Sequence, residues 1–169
     1  HTATTNSAIT STPAGQPHLV SIRGTPVRDY DYDANGNRTH VNGTLVGAFD
    51  AQDRLTSYQG TTYTYTAAGD LEARTDASGT TTYAYDALGN LRTVVFQNGM
   101  RIEYVIDGQN RRAGKKICPA PCDPEDVATL QQGFLYADQL RIVAELDGSN
   151  QIVSRFVYAT KAHVPDYMV

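Results

Sequence analysis

Through the middle of the chain, apolar and polar residues alternate with a period of two. "TTYTY" (Thr61 to Tyr65) and "TTTYAY" (Thr80 to Tyr85) each end on two tyrosines separated by one small or polar residue. Side chains of a β-strand point to alternate faces, so the rings of a Tyr-x-Tyr triplet share one face. Turn signals follow at once: Gly69-Asp70 after the first run and Gly89-Asn90 after the second. Glycine supplies the positive φ that other residues resist, and Asp bonds its own downstream backbone. "LEARTD" and "LRTVVF" then read as return strands, and Ser78-Gly79 or Asn98-Gly99 closes each with a second turn.

This unit recurs. "YDYDANGNRTHVNG" starts at Tyr30, "YTYTAAGDLEARTDASG" at Tyr63 and "YAYDALGNLRTVVFQNG" at Tyr83. The matching positions are Tyr30, Tyr32, Asp33 and Gly36; Tyr63, Tyr65 and Gly69; Tyr83, Tyr85, Asp86 and Gly89. Weaker copies keep part of the pattern, among them "AFDAQDRLTSYQG" with Phe49-Asp50, "YVIDGQNRRAGKK" with Tyr104 and Asp107, and later segments with Tyr136 and Tyr158. Two strands of about five residues and two turns need about 20 residues, which is the spacing of the units. The predicted fold class is therefore all-β, a run of antiparallel hairpins forming a ribbon over residues 27–169. Thr66 stands where Asp is expected and Asp53 where Gly is expected, so these two turns are predicted to be less regular.

Two stretches break the pattern. Residues 1–26, rich in Thr, Ser, Pro and Gly, read as an extended linker or arm. An insertion at about 114–133 holds "ICPAPCDPEDVATLQQG". Cys118 and Cys122, with Pro119 and Pro121 between them, are disulfide candidates; two cysteines without a nearby His argue against zinc. Asp123 as an N-cap, Pro124 after it and Gly133 at the end predict one short helix.

Composition narrows the functions. Net charge is −4 and pI about 5.4, which lacks the basic footprint of a nucleic-acid binder. The single basic cluster, Arg111-Arg112 with Lys115-Lys116, reads as a solvated hairpin edge. No run approaches the roughly 18 apolar residues of a membrane span. With no leader visible after His1 and no initiating Met, the chain reads as a processed piece of something longer. The four His are scattered, Ser residues lack a Gly-x-Ser-x-Gly context, and the repeated carboxylates are explained as turn formers. No catalytic set and no cofactor are expected.

The repeated Tyr-x-Tyr-Asp-x-x-Gly pattern resembles the YD-repeat, or Rhs-repeat, family of bacterial proteins, over about Val27 to Val169. The closing "RFVYATKAHVPDYMV" is similar to a segment found late in the Rhs core. The resemblance implies a ribbon coiled into a hollow shell around a toxic domain, released by an aspartate-based region with an Asp-Pro-x-Gly motif. Asp123-Pro124 continues "EDV" and lacks that Gly, so no catalytic residue carries over. What carries over are the repeat positions named above, as structural residues.

The expected function is thus a non-catalytic module of a shell that encloses or displays a toxin or effector domain in a larger secreted or cell-surface protein. Two alternatives stand beside it: a carbohydrate or cell-surface binding module with exposed Tyr rows, and a self-assembling extracellular β-structure. Expected partners are the rest of the parent chain or further copies of this one, with an enclosed effector domain or glycans beyond them, and no nucleic acid. A disulfide would fit an oxidising compartment.

Overall fold

A computed structural model describes residues 7–11, 17–22 and 25–169, side chains of β-strand residues 7–9, 17–22 and 25–27 excepted. The described residues fall into two units, one within residues 1–64 with 75–77 and one of residues 65–74 with 78–169.

In the first unit β1 (Ser7–Ser11), β2 (Pro17–Ile22), β3 (Thr25–Tyr32), β4 (Arg38–Val41) and β5 (Thr44–Leu45) form a five-stranded sheet in chain order. β6 (Gly47–Phe49) pairs with β7 (Leu55–Tyr58), and β7 with β8 (Thr61–Tyr65). β1 and β2 lie inside the stretch expected to be a linker or arm, and they are paired strands.

The second unit continues with β9 (Leu71–Asp76), β10 (Gly79–Tyr85), β11 (Leu91–Val95), β12 (Arg101–Ile106), β13 (Arg112–Cys118), β14 (Thr129–Tyr136), β15 (Ile142–Asp147), β16 (Ile152–Val157) and β17 (Tyr167–Met168). Among the described residues, strands within a sheet follow chain order, each beside its predecessor and successor, with no crossover. The pairings from β10 through β17 are antiparallel, as expected of strands joined by tight turns.

The alternation seen in the sequence is the alternation of burial. In β10 the face of Thr81, Tyr83 and Tyr85 is withdrawn from solvent, while Thr80, Thr82 and Ala84 are exposed. β8 repeats this with Tyr63 and Tyr65 against Thr62 and Thr64. Tyr83 stands opposite Val94, which is 6 % exposed. Few side chains are buried: Val46, Val94, Ile102, Cys118, Ala128, Ala144 and Thr81 are, and no large side chain among the described residues falls below 2 % exposure. The tyrosines are partly buried, not enclosed. Among the described residues the packed material is a layer on one sheet face, without a second layer over it.

Three expectations are corrected. The predicted helix is absent: Asp123–Asp126 makes one turn, with Asp126 N–H on the Asp123 carbonyl at 3.1 Å, and Thr129 already belongs to β14. The capping signals are real, but β14 pairs along β13, with Gly133 opposite Gly114, and ladder pairing outweighs a short helix's weak propensity. The insertion is accordingly shorter than 114–133, because residues 112–118 and 129–136 are strands. The basic cluster is not an edge either. β13 lies between β12 and β14, and Lys115 and Lys116 are partly buried there.

Candidate functional site: the aspartate turns and the tyrosine face

The chemistry-bearing residues of the repeat meet at the hairpin turns. In the first full copy, Asp33 N–H donates to the Asn37 carbonyl at 2.9 Å, and Gly36 N–H to the Asp33 carbonyl at 3.1 Å. Gly36 has φ 88°, so the hairpin is a tight turn followed by a left-handed residue. The same pair of bonds joins Asp86 to Asn90 and Gly89, at 3.0 Å each. The Asp carboxylate completes the loop. Asp33 Oδ1 accepts from the N–H groups of Asn35 and Asn37, and Asp86 Oδ1 from those of Leu88 and Asn90, all at 2.9–3.0 Å. Asp50, Asp107 and Asp147 accept from the N–H groups two and four residues on, and Asp138 from those two and three on.

These bonds favour the ionised carboxylate. The backbone N–H of Asn37 leads in holding Asp33 below its usual range, that of Arg54 does so for Asp50, and the side chains of Asn90 and Arg111 do so for Asp86 and Asp107. The Leu140 and Arg141 amides and the Arg141 side chain bring Asp138 down to about 2. Asp33, Asp50, Asp86, Asp107 and Asp138 are thus fixed anions bound to their own turns, which is the reverse of what proton transfer at neutral pH needs.

The departures from the motif are as regular as the motif, contrary to expectation. Asp53 itself adopts φ 59°, and its N–H reaches the Asp50 carbonyl at 3.0 Å. Asp tolerates this left-handed region better than most residues. Thr66 supplies the same acceptor through its hydroxyl, which takes the Asp70 N–H at 3.1 Å.

Immediately before most of these turns the pairing register shifts by one residue. The shifts fall at Asp31/Tyr32, Ala48/Phe49, Ala84/Tyr85, Val105/Ile106 and Leu135/Tyr136. A bulge therefore accompanies the second aromatic position, and bulges increase local twist.

Sequence reasoning missed how turns join sideways. Within the first unit Asn35 and Asn37 both donate to Asp53 Oδ1, at 2.7 and 2.8 Å. Within the second, the turns at 66–70, 86–90, 107–111 and 137–141 are alternate turns of one meander and share a margin. There Asn90 bonds Asn110 at 2.6 Å, Arg111 donates to the Asp138 carbonyl at 2.7 Å, and Gln139 to the Gln109 carbonyl at 3.1 Å. Tyr136 and Tyr158 pin the same region, their hydroxyls donating to the carbonyls of Arg112 and Ile142 at 2.8 and 2.9 Å. Arg111 lies over the Tyr136 ring at 4.5 Å and Arg112 over Tyr104 at 4.1 Å. A signal was present, since Asn or Arg follows four residues after several of the aspartates, but the partner depends on strand spacing and not on sequence distance.

Cys118 and Cys122 are bonded, with their Cα atoms 5.7 Å apart. One concavity of about 230 Å³ lies on the second unit, lined by Arg92, Thr93, Glu103, Tyr104, Val105 and Lys116. Among the described residues no helix is long and apolar enough to cross a membrane.

Comparison with known proteins agrees with this geometry. The Photorhabdus luminescens Tc holotoxin pore carrying the TccC3-D651A mutation has a chain similar to this one at 13 % identity and a TM-score of 0.54, covering 90 % of this chain and 9 % of that one. The TcdB2-TccC3 crystal structure matches at 12 % identity and a TM-score of 0.53, covering 94 % and 10 %. At these identities the likeness is one of fold, and the chain spans about a tenth of the chains it matches. No curated protein matches it significantly. A family model described as Teneurin YD-shell matches residues 14–169. With most of its length matched, the chain belongs to the teneurin YD-shell family and is a structural module of that kind.

Proposed function

We propose that this chain is a stretch of shell wall in a larger secreted or cell-surface protein, and that the shell holds a toxin or effector domain apart from its surroundings. The observation that carries the reading is the single packed layer. A sheet ordinarily buries one face against a second element. Here the tyrosine face is only partly buried and, among the described residues, no large side chain is enclosed. Cohesion comes instead from the ladder, the aspartate turns and the sideways bridges between turns. That construction suits a wall, where strength along the sheet matters more than a core. The work of these residues is mechanical, with no reaction carried out on them.

The test uses the natural polypeptide that carries this segment. A domain enclosed by the shell should resist a protease that digests the same domain expressed alone, and should lose that resistance when the wall is weakened by Tyr85→Ala. Equal digestion in both settings would overturn enclosure. Specific retention on a glycan array, lost on Tyr85→Ala while the melting temperature stays unchanged, would favour the binding-module reading instead.

A further inference from the structure

The connection between β13 and β14, residues 119–128, holds the chain's one unabsorbed cluster of soft ligands among the described residues. Cys118 ends β13 and is 5 % exposed. The donor atoms of Cys118, Cys122 and Asp126 all lie within 4.8 Å of one another. Sequence reading weighed the two cysteines and found no His; it did not see that the chain brings back a carboxylate as a third ligand.

The loop is held by contacts that do not involve sulfur. Arg101 of β12 donates Nη1 to the Asp123 carbonyl at 3.2 Å and Nη2 to the Asp126 carbonyl at 2.5 Å. The Asp123 N–H donates to Asp126 Oδ2 at 2.9 Å, and the Asp126 N–H to the Asp123 carbonyl at 3.1 Å. Ala128, at 5 % exposure, fastens the far end. Opening the disulfide therefore leaves Asp126 anchored, Cys118 at the end of β13, and Cys122 next to the held Asp123. Asp126 keeps lone pairs for a metal beyond the one that Asp123 orients, and such an outer contact is what fixes a ligating carboxylate.

We propose that Cys118, Cys122 and Asp126 close this loop in two interchangeable ways: as a disulfide when oxidised, and around one Zn²⁺ ion when reduced. A dithiol reductant supplies two electrons and two protons; the S–S bond breaks, two thiols form, and the reductant leaves as its own disulfide. The sulfurs can then part to the roughly 3.8 Å that two tetrahedral Zn–S bonds of about 2.3 Å require. Binding expels the two thiol protons, the zinc keeps its oxidation state, and water fills the fourth position. A disulfide oxidant takes two electrons from the two thiolates and leaves as its own dithiol; the S–S bond re-forms, two ligands are lost and the ion is released. Thiolate donors with one carboxylate select a borderline-soft cation over Ca²⁺ or Mg²⁺. The loop would thus be closed on both sides of an export step.

The experiment takes the full chain reduced with a phosphine, equilibrates it with Zn²⁺, removes free ion and measures bound metal. The expected result is about one Zn²⁺ per chain in the reduced form and none after oxidation with diamide. Co²⁺ in its place should show thiolate-to-cobalt absorption. Asp126→Asn, which spares the disulfide, should weaken zinc binding at least tenfold. Reduced chain holding no more zinc than the Cys118→Ser/Cys122→Ser double variant would overturn the proposal, as would equal retention by the oxidised chain. Unchanged affinity in Asp126→Asn would overturn the three-ligand assignment.

Discussion

Replacing Tyr85 by Ala tests whether the tyrosine face holds the ribbon together. Tyr85 closes β10 at the bulge before the Asp86 turn, opposite Leu91 and on the face of Thr81 and Tyr83. Its surroundings raise the phenol's pKa, chiefly through burial and then through the nearby Asp70. A fully buried aromatic withdraws about 150–250 Å² from water, and this partly buried ring withdraws on the order of 100 Å². At about 25 cal/mol per Å² that is about 2.5 kcal/mol, and cross-strand ring contacts add about 0.2–1 kcal/mol. The open side of the layer lets neighbours relax into the gap, so the net cost is about 2–3 kcal/mol, below the roughly 3–5 kcal/mol of an enclosed aromatic. For a chain of this size the melting temperature should fall by about 5–10 °C. Tyr85→Phe keeps the ring and should change it by about 1–2 °C. Thermal melts followed by circular dichroism near 215 nm, where strand signal dominates, decide the matter. A Tyr85→Ala melt within about 1 °C of the parent would refute the reasoning.

Other outcomes follow from the same geometry. Acid should weaken the fold in a defined window: the folded pKa values of Asp33, Asp50, Asp86, Asp107 and Asp138 lie below the ordinary 3.8, so their contribution is present above pH 3.8 and is lost as pH falls towards about 2, the value for Asp138. Melting temperature measured from pH 6 to pH 2 should hold level, then drop below about 4; a level profile throughout would count against the turn anions. Arg111→Lys loses the fork that joins the Asp107 carboxylate to the Asp138 carbonyl, and hydrogen exchange should quicken at both turns while distant strands stay protected. Gly148→Ala would set a methyl 2.4 Å from the Leu130 carbonyl oxygen, and should cost about 1–3 kcal/mol in denaturant unfolding. Gly43→Ala meets nothing within 4 Å, so any loss there reflects only its φ of 73° and should be smaller.

Much of the fold is legible in the sequence because its rules are local. Tyr63-x-Tyr65 and Tyr83-x-Tyr85 state a period of two, and an Asp followed three residues later by Gly states a turn with its own acceptor. What the sequence hides depends on neighbours far along the chain. Asp123-Pro124 reads as a helix start, yet strand β13 was already waiting to be paired. Lys115 and Lys116 read as an edge until β14 is laid beside them. Asn35 finding Asp53, or Arg111 finding Asp138, follows from the distance between alternate strands. The equivalence of Asp53 and Gly, or Thr66 and Asp, shows that the turn selects a backbone shape and an oxygen rather than a residue name.

Pairing in strict chain order has a consequence for how such a ribbon is made and changed. Within each sheet a strand pairs with the one before it in the chain, so ordering can proceed like a zip, with few distant ends to bring together. Stability in such an array is close to a sum of neighbour terms. A hairpin can therefore be duplicated, lost or lengthened with its damage confined to the adjoining strands. The ten-residue excursion between β13 and β14 shows the scale of change such a ribbon accepts, since the strand order on either side is undisturbed.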